Sequence, residues 1–479
     1  MPLPELPGKR LLIGHALLIG PGFHLRCLEW QKTLGNIFML RVGKLSIIIL
    51  NNEKHVGELF QKRGAKYSSR PQSFISWEVV GRKQDYIAAP YHKWFKKMMP
   101  LAHGVFNQRK IETYMDLIYE CRDELLKILA EDSNEIFPSR HFQYTTLNVI
   151  LNVVFNSKTK GMTDPLHFQF LDLIERTFAL THVQARIFDA LPISRTILKN
   201  RWLHKNAIDL RDEWESVLGM LLEKVKINKY EDGKKQEYVS SCFAKDLLAK
   251  VDEGVITEME LIHLVLDLVV AGTETSASAM TSLIAIVTND PEIQARAHDE
   301  LDRIVGHSRL PTYDDLTSLP YIRAMVKEVL RWAPPIILGP PHVIEEDDDY
   351  MGYHIPKNSL LLMNMYALNW NPARFSNPSK FDPERYLDMK ESSAALAQGN
   401  VENRDHFSFG AGRRLCLGIR LAEVELELFI ASIFWAFKIE RPPTEPEPID
   451  LTKFDYIGIV QWIKPYNVRF IPRQKESFF

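Results

Sequence analysis

The sequence predicts a mainly α-helical fold with a small β-rich subdomain. Residues 111–229 follow a helical pattern, in which apolar side chains recur every 3.6 residues or so, most clearly over 114–129 and 209–227. A further uninterrupted helix is predicted from Thr257 to the stop at Pro291. Runs of β-forming residues are shorter and occur over 38–50, 347–362 and 457–460.

Length and composition favour one large domain. The chain has 479 residues, of which 46% are hydrophobic, and nothing divides it cleanly after a proline-rich segment at residues 1–22. We therefore expect a single domain over residues 23–479. The net charge of -2 gives no reason to expect nucleic-acid binding. The four cysteines have no bridge-like spacing, which indicates a reducing compartment and no disulfides.

The N-terminal segment 1–22 resembles a hinge more than a membrane span. Its apolar run, residues 11–20, is short compared with the 20 or so residues that a helix needs to cross a bilayer. The segment also lacks the pattern of a signal peptide. We therefore expect this sequence to contain no membrane anchor.

The first elements are a hairpin, a helix and an aromatic loop. Residues 38–42 and 45–50 predict two paired strands, and residues 53–63 predict a helix. The loop that follows ends in Phe74 and Ile75, side chains that by themselves indicate a lid or core packing.

The next helix opens with Trp94 among three lysines, which on their own are best explained as a solvated face.

The helix that begins at Thr257 is predicted to cross the core. A capping box, Thr257 with Glu260, starts it, and at about 1.5 Å per residue it is roughly 50 Å long. A bilayer-spanning helix is excluded because His263, Asp267 and Glu274 interrupt the apolar run.

The middle of this helix, residues 271–276, is rich in small and hydroxyl-bearing side chains. Its hydroxyls could simply bond back to the preceding turn. Alternatively, Gly272 could admit a flat ligand to the backbone, and Glu274 with Thr275 could deliver protons through water. The residues alone leave both interpretations open.

Residues 321–332 predict another helix, which Pro334 and Pro335 end. Glu328 and Arg331 lie three residues apart on one face of it. This spacing alone is a weak signal, because most such pairs are surface ion pairs worth under about 1 kcal/mol.

The loop 407–418 and the helix after it, predicted over 419–440, form the most informative stretch. Its glycines allow a tight wrap around a ligand, and Cys416 lies at the N-terminus of the helix. The helix dipole and the neighbouring Arg413 and Arg414 favour a thiolate there. A lone cysteine is usually a small apolar side chain. No second cysteine is near enough for a zinc site, whereas a haem iron needs only one protein thiolate.

The spacing of five residues in this loop matches a known signature. Phe409, Gly412, Arg414, Cys416 and Gly418 fit F-x-x-G-x-R-x-C-x-G, and the chain resembles the haem-thiolate monooxygenases, the cytochrome P-450 superfamily. Residues 271–275 also match the family's A/G-G-x-D/E-T motif, and residues 381–386 its F-x-P-E-R-F segment, with Tyr in the last position. The style of these motifs resembles eukaryotic microsomal members, including fungal secondary-metabolite enzymes.

The resemblance implies a cytochrome P-450 fold that carries non-covalent haem b with Cys416 as the ligand of the iron. It also implies catalytic roles for Glu274 and Thr275 as a proton relay, and a buried structural triad of Glu328, Arg331 and Arg385. The residues implied to contact the haem, in addition to Cys416, are Phe409, Gly412, Arg414, Ala271, Trp94, Lys97 and His342. The family has an arginine one turn after the tryptophan, where this chain has Met98, so Lys97 would replace it.

The resemblance further implies a pocket for an apolar small-molecule substrate. The side chains implied to line it are Phe74, Ile75, Val270, Ile336, Ile337, Leu338 and Ile459. The implied reaction inserts one oxygen atom from O2, with electrons from NADPH through NADPH-cytochrome P-450 reductase.

The resemblance places the protein at the cytosolic face of the endoplasmic reticulum membrane if an anchor exists, and in the cytoplasm otherwise. We expect a monomer with a peripheral membrane contact, since the apolar connection at residues 187–193 corresponds to a loop that dips into the bilayer in anchored members.

Two other functions stay open. A haem-thiolate isomerase or dehydratase would not use O2 and would not need Glu274 and Thr275. A non-enzymatic haem-binding sensor would not need a lined pocket or a basic docking face.

Overall fold

Most of the described chain is helical, as predicted. The structure, a computed structural model, describes residues 1–131, 135–181, 202–231 and 242–473. The apolar connection predicted at residues 187–193 lies outside these ranges. The helices are α1 (Phe23–Leu34), α2 (Glu53–Val56), α3 (Gly64–Tyr67), α4 (Lys93–Val105), α5 (Gln108–Glu131), α6 (Ser139–Phe155), α7 (Pro165–Thr181), α8 (Trp202–Glu231), α9 (Phe243–Asp252), α10 (Glu258–Asn289), α11 (Pro291–Ile304), α12 (Pro320–Trp332), α13 (Met365–Asn369), α14 (Ser393–Gln398) and α15 (Ile419–Ala436).

The β-structure is small, which confirms the predicted fold class. The strands are β1 (Ile37–Val42), β2 (Leu45–Leu50), β3 (His342–Val343), β4 (Asp348–Tyr350), β5 (Tyr353–Ile355), β6 (Leu360–Met363), β7 (Phe437–Glu440), β8 (Phe454–Ile457), β9 (Val460–Ile463) and β10 (Arg469–Pro472). A four-stranded sheet has the order β1-β2-β6-β3, and the antiparallel pairs β4-β5, β7-β10 and β8-β9 stand apart from it.

The four-stranded sheet joins distant parts of the chain. β1 and β2 form the predicted hairpin, in which Ile37 is opposite Leu50. β6 then adds to β2 in parallel, and β3 pairs with β6 in the opposite direction. Because β3 and β6 follow α12 in the sequence, the sheet ties the N-terminal hairpin to the region that leads to the cysteine loop.

The helix α10 has the predicted start and end. The Thr257 hydroxyl accepts a hydrogen bond from the Glu260 N–H at 3.1 Å, and the Glu260 carboxylate accepts one from the Thr257 N–H at 2.8 Å. At the other end Asp290 caps α11, whose first residue is Pro291. Of the described helices, α10 alone is long and apolar enough to cross a membrane, and most of it is buried inside the protein, as in a core helix.

Two predicted helices differ from the structure. The helix predicted over 53–63 is split into α2, a π-helical turn (Gly57–Lys62) and α3. The α-helix gives way to the π-helical turn at Gly57, where a Cβ atom would lie 2.7 Å from the Val401 side chain. The helix predicted over 419–440 ends at Ala436, because the next four residues pair with β10 as strand β7.

The main core surrounds α10. It is built from apolar side chains of α5, α6, α10, α12 and α15, with the large Trp214 and Trp435 fully buried. The N-terminal segment 1–22 lies along β1, where the Leu6 N–H donates to the Met39 carbonyl at 3.0 Å. Farther along this segment Leu11, Leu12 and Leu17 are exposed.

Candidate active site around Cys416

An internal cavity of about 260 Å³ lies between α10, α15 and the cysteine loop. α6 and the segment before α4 complete its wall, which is mostly apolar. Its lining residues include Arg70, Tyr86, Ile87, Phe106, Ile150, Ala271, Gly272, Thr275, Ser276, Ile336, Phe409, Arg413, Arg414, Cys416 and Glu425.

The shape of the cysteine loop depends on its glycines. The Cys416 N–H donates to the Phe409 carbonyl at 2.9 Å, which closes the loop on itself. Gly412 has φ +68°, in the left-handed region, and a Cβ atom there would overlap the Phe60 carbonyl oxygen. Only glycine can therefore bring the loop this close to the π-helical turn at Gly57–Lys62.

The Cys416 sulfur faces the cavity and is surrounded by protein. The side chain retains exposed surface, but that surface belongs to the cavity wall. Burial raises the pKa of the Cys416 thiol, whereas the N–H groups of Gly418 and Ile419, which donate to Sγ, lower it. These amides belong to the first turn of α15, so the predicted effect of the helix N-terminus is present.

The predicted help from the two neighbouring arginines is absent. Arg414 donates to the carbonyls of Ser68, Tyr86 and Ala89, and Arg413 donates to the Tyr91 hydroxyl. Their guanidinium groups are thus turned toward the segment before α4. Both arginines line the cavity.

The donors at this site fit a haem. In the described part of the chain, no group of three or more His, Cys, Asp or Glu side chains could hold a metal ion by itself. The site instead offers one cysteine sulfur with two amide donors, which suits an iron whose equatorial ligands come from a porphyrin. Phe409, Gly412 and Arg414 belong to the loop that presents this thiolate, and Phe409 and Arg414 line the cavity.

The middle of α10 also lines the cavity. Ala271 is exposed to it, and the Thr275 hydroxyl, which lines it too, donates to the Ala271 carbonyl at 2.8 Å. Gly272 also lets α10 pack closely against α6, because a Cβ atom there would lie 3.3 Å from Ile150 of α6. The hydroxyl back-bonding that the sequence left open therefore occurs, next to the cavity wall.

Glu274 points away from the cavity, toward α6. It is buried, and the Gln143 amide donates to its two oxygens at 3.1 and 3.2 Å. Burial raises the pKa of Glu274 to about 7, although the Gln143 hydrogen bond opposes this shift. Glu274 can therefore carry a proton near neutral pH, but the structure does not bring its carboxyl group beside the Thr275 hydroxyl in the cavity wall.

Trp94 and Lys97 have a partner that the sequence did not predict. The Trp94 indole N–H and the Lys97 ammonium both donate to Glu260 Oε1, each at 2.6 Å. Glu260 also closes the capping box of α10. In this structure Trp94 and Lys97 are thus bound to a buried carboxylate outside the described cavity lining, and their predicted contact with the haem stays a prediction.

His342 is held in the core rather than at the cavity. Its Nδ1 lies 2.5 Å from the Tyr67 carbonyl, and its ring stacks on Phe60 with centroids 4.0 Å apart. Burial keeps the pKa of His342 well below its usual range, so the ring is neutral near pH 7. A neutral ring offers no positive charge to a haem carboxylate, and the predicted contact of His342 with the haem stays a prediction.

Of the predicted pocket residues, Ile336 lines the described cavity. Phe74 and Ile75 pack against Val79, Val80 and Ala207, and so form a small separate cluster. Val270, Leu338 and Ile459 belong to packing clusters. Ile337 is buried. None of these four residues is part of the described lining. The apolar wall is instead built from side chains that include Tyr86, Ile87 and Phe106.

The predicted triad is brought together. Arg331 donates twice to the Glu328 carboxylate, at 2.7 Å each, and Arg385 approaches the same carboxylate at 3.3 Å. Glu328 and Arg331 are fully buried. Arg331 also donates to the carbonyls of Asn369 and Pro378, so the triad links α12 to the segment that precedes the cysteine loop.

Glu425 is a site residue that the sequence did not reveal. It lies in α15 and lines the cavity, where its Oε2 accepts from the Ser276 hydroxyl at 3.0 Å. Its Oε1 is buried with no hydrogen-bond partner among the described residues. Burial raises the pKa of Glu425 to about 8. Its neighbours Glu423 and Glu427 carry the same side chain, so the pattern gave no sign of which one faces a cavity.

Comparisons with known proteins agree with this site. A family model described as Cytochrome P450 matches residues 4–470. Cytochrome P450 monooxygenase verL of Clonostachys rogersoniana is 32% identical over 438 residues, which cover 88% of this chain and 79% of that protein. Cytochrome P450 monooxygenase fogE of Aspergillus ruber is 31% identical over 470 residues, or 95% and 84% of the two chains.

Solved structures show the same fold. A zebra fish cytochrome P450 with progesterone has a TM-score of 0.78 and 24% identity, and the match covers 95% of this chain and all of that one. The same kind of protein with abiraterone has a TM-score of 0.76 over 94% of this chain. Since the family model also spans nearly the whole sequence, the resemblance seen in the cysteine loop is confirmed, and the chain belongs to the cytochrome P450 family.

Proposed function

We propose that this chain is a haem-thiolate monooxygenase that inserts one oxygen atom from O2 into an apolar small molecule. The observation that carries the proposal is the placement of Cys416, whose sulfur faces a cavity at the start of α15 and receives two backbone N–H groups. The relatives named above are monooxygenases by name. The largely apolar cavity wall supports an apolar substrate.

The residues that line the cavity have different roles. Cys416 would hold the haem iron, and the haem supplies the activation of O2 and the oxidation of the substrate. Ala271 and Gly272 provide a wall without bulky side chains. Arg70, Arg413 and Arg414 line the same cavity and offer positive charge for the carboxylates of the porphyrin, a role that Trp94 and Lys97 do not fill in this structure.

Protons are the second requirement. We propose that the Thr275 hydroxyl orients water in the cavity and that Glu274, with a pKa raised to about 7, holds the proton that is passed on. Because Gln143 binds Glu274 on the side of α6, the carboxyl group must turn from Gln143 before it can serve the cavity.

We further propose that electrons come from NADPH through NADPH-cytochrome P-450 reductase, and that the protein works at the cytosolic face of the endoplasmic reticulum. The exposed Leu11, Leu12 and Leu17 of the N-terminal segment support a peripheral contact with lipid. Flotation with phospholipid vesicles tests this contact, and a protein that stays at the bottom of the gradient would count against it.

The thiolate ligand is tested with Cys416→Ser. The reduced wild-type protein with carbon monoxide should give the red-shifted Soret band of thiolate ligation, because a thiolate donates more electron density to iron than a neutral ligand does. The variant should lose this band completely. A wild-type protein that binds haem but gives the unshifted band of a histidine ligand would overturn the proposal.

The relay is tested with Thr275→Ala. In the presence of reductase and substrate, the variant should consume NADPH but release more of the reducing equivalents as hydrogen peroxide, about tenfold more or higher, because a well-placed proton donor contributes a factor of at least 100 or so to such steps. Thr281→Ala, which removes a fully buried hydroxyl two turns away in the same helix, is the control. Equal coupling in Thr275→Ala and wild type would count against the relay.

A further inference from the structure

A buried ion pair lies behind the cysteine loop. Lys327 precedes Glu328 in α12 but does not belong to the triad. Its ammonium donates to Asp405 Oδ2 at 2.6 Å and to the Ser393 hydroxyl at 3.1 Å. The side chains of Lys327 and Asp405 are 2% and 1% exposed, so this lysine is not available to a partner protein at the surface.

Both carboxylate oxygens of Asp405 accept hydrogen bonds. Besides Lys327, it accepts from the Ser393 hydroxyl and, at 2.8 Å, from the His406 N–H. Its own carbonyl accepts from the Tyr386 hydroxyl at 2.9 Å. A buried ion pair whose polar atoms all have hydrogen-bond partners often stabilises a folded protein no more than apolar side chains of the same size would. Stability therefore does not by itself explain why this pair is present.

The short helix α14 covers this pair. Glu423 of α15 accepts from the N–H groups of Ser393 and Ala394, at the start of α14, the second of them at 3.0 Å. Ser393 in turn bonds both members of the pair. The network thus joins α12, α14, α15 and the residue at which the chain turns toward the cysteine loop.

The chain that follows Asp405 is held by α12 and α13. The Phe407 N–H donates to Asn369 at 2.7 Å, and the Ser408 hydroxyl donates to the carbonyl of Leu330. Leu330 lies one turn after Lys327 in α12. Two points of α12 therefore hold the two ends of residues 405–408, and Phe409, which comes next, accepts the N–H of Cys416.

We propose that the Lys327–Asp405 pair is a positioning device for Cys416. The pair fixes the distance between the cysteine loop and α12. It thereby keeps the Cys416 sulfur within hydrogen-bond distance of the Gly418 and Ile419 N–H groups, which favour the thiolate. This inference rests on the proposed haem-thiolate function. Lys327 and Asp405 touch neither the sulfur nor the cavity lining, so they are positioning residues and not catalytic ones.

The experiment compares two variants of the holoenzyme with a matched control. Lys327→Met removes the ammonium. Asp405→Asn removes the charge and one of the two acceptor oxygens, so it keeps an acceptor for the Ser393 hydroxyl or for the His406 N–H. Arg473→Met is the control, because Arg473 forms a partly buried pair with Asp302 near the opposite end of α15. For each protein, the ratio of unshifted to red-shifted carbon monoxide band is measured at temperatures where circular dichroism still shows the native fold.

Lys327→Met and Asp405→Asn should each raise this ratio about tenfold, and combining them should add little, since the two residues act as one pair. Arg473→Met should lower the melting temperature and leave the ratio unchanged. If Lys327→Met does not fold, the band ratio of Asp405→Asn alone tests the inference. A ratio that stays at the wild-type value, or rises only as the control does on unfolding, would overturn the inference. A red-shifted band in wild type shows in either case that the proposed thiolate ligation holds.

Discussion

At the scale of single residues, burial and backbone groups act on Cys416 in opposite directions. Burial raises the pKa of its thiol, and the N–H groups of Gly418 and Ile419 oppose this shift, while the two arginines beside it in the sequence bind other groups. A sequence shows which charges are close along the chain, but not where long side chains turn. The helix N-terminus could be predicted from the pattern after Gly418, whereas the directions of Arg413 and Arg414 could not.

Glu425 gives a prediction about pH and stability. Burial raises the pKa of Glu425 in the folded protein to about 8, from an ordinary value of 4.5, so the folded protein keeps a proton that the unfolded chain loses. Stability from this group is therefore lost as the pH rises between these two values. The glutamine of Glu425→Gln does not ionise, so this pH-dependent loss of stability is absent from the variant. Its amide oxygen can still accept the hydrogen bond from Ser276.

The unfolding free energy of Glu425→Gln relative to wild type should therefore increase from about pH 5 to pH 8, by up to about 4 kcal/mol. Urea unfolding of the holoenzyme across this range measures it. Glu274→Gln should show a smaller increase, because the pKa of Glu274 rises only to about 7. A difference that does not depend on pH would show that Glu425 is ionised in the folded protein.

At the scale of elements, Glu260 acts as a clamp between α4 and α10. It receives the Trp94 indole and the Lys97 ammonium from α4, and the N–H of Thr257 from its own helix. Glu260→Ala should lower the unfolding free energy by about 1–3 kcal/mol, because the Trp94 donor and the Thr257 N–H lose a buried acceptor. Glu258→Ala, two residues away, is the matched control, since Glu258 makes a more exposed pair with Lys226.

The carbon monoxide spectrum separates this clamp from a role in haem binding. Glu260→Ala and Trp94→Phe should both retain the full haem content and the red-shifted band when they are folded. Loss of haem from folded Trp94→Phe would instead support the predicted contact of Trp94 with the haem.

Elements differ in how well the sequence predicts them. The helix α10 was predicted to the residue because its capping box and Pro291 are local signals. The end of α15 was not, because strand β7 exists only through its pairing with β10 more than thirty residues later. In the same way, Trp94 and Lys97 were correctly placed at the start of α4, but their partner Glu260 lies in a helix that is distant in the sequence.

At the scale of the whole molecule, the fold class could be predicted and the pocket could not. Helical periodicity and the motif order were sufficient for the architecture. The cavity wall combines motif residues of α10 and the cysteine loop with side chains of α6 and of the segment before α4, which carry no motif. Ile336 was predicted through the resemblance to the family, while Tyr86, Ile87 and Phe106 give no local sign of their position.

The spread of the cavity lining along the chain bears on how the protein is made. Its walls come from residues as far apart as Arg70 and Leu426, and Cys416 is close to the later end of this span. Until a ribosome has passed Ala436, the growing polypeptide lacks the complete helix that presents the Cys416 sulfur. Haem capture must therefore wait until α15 has been made, and the unfilled apolar walls must stay protected from aggregation until then.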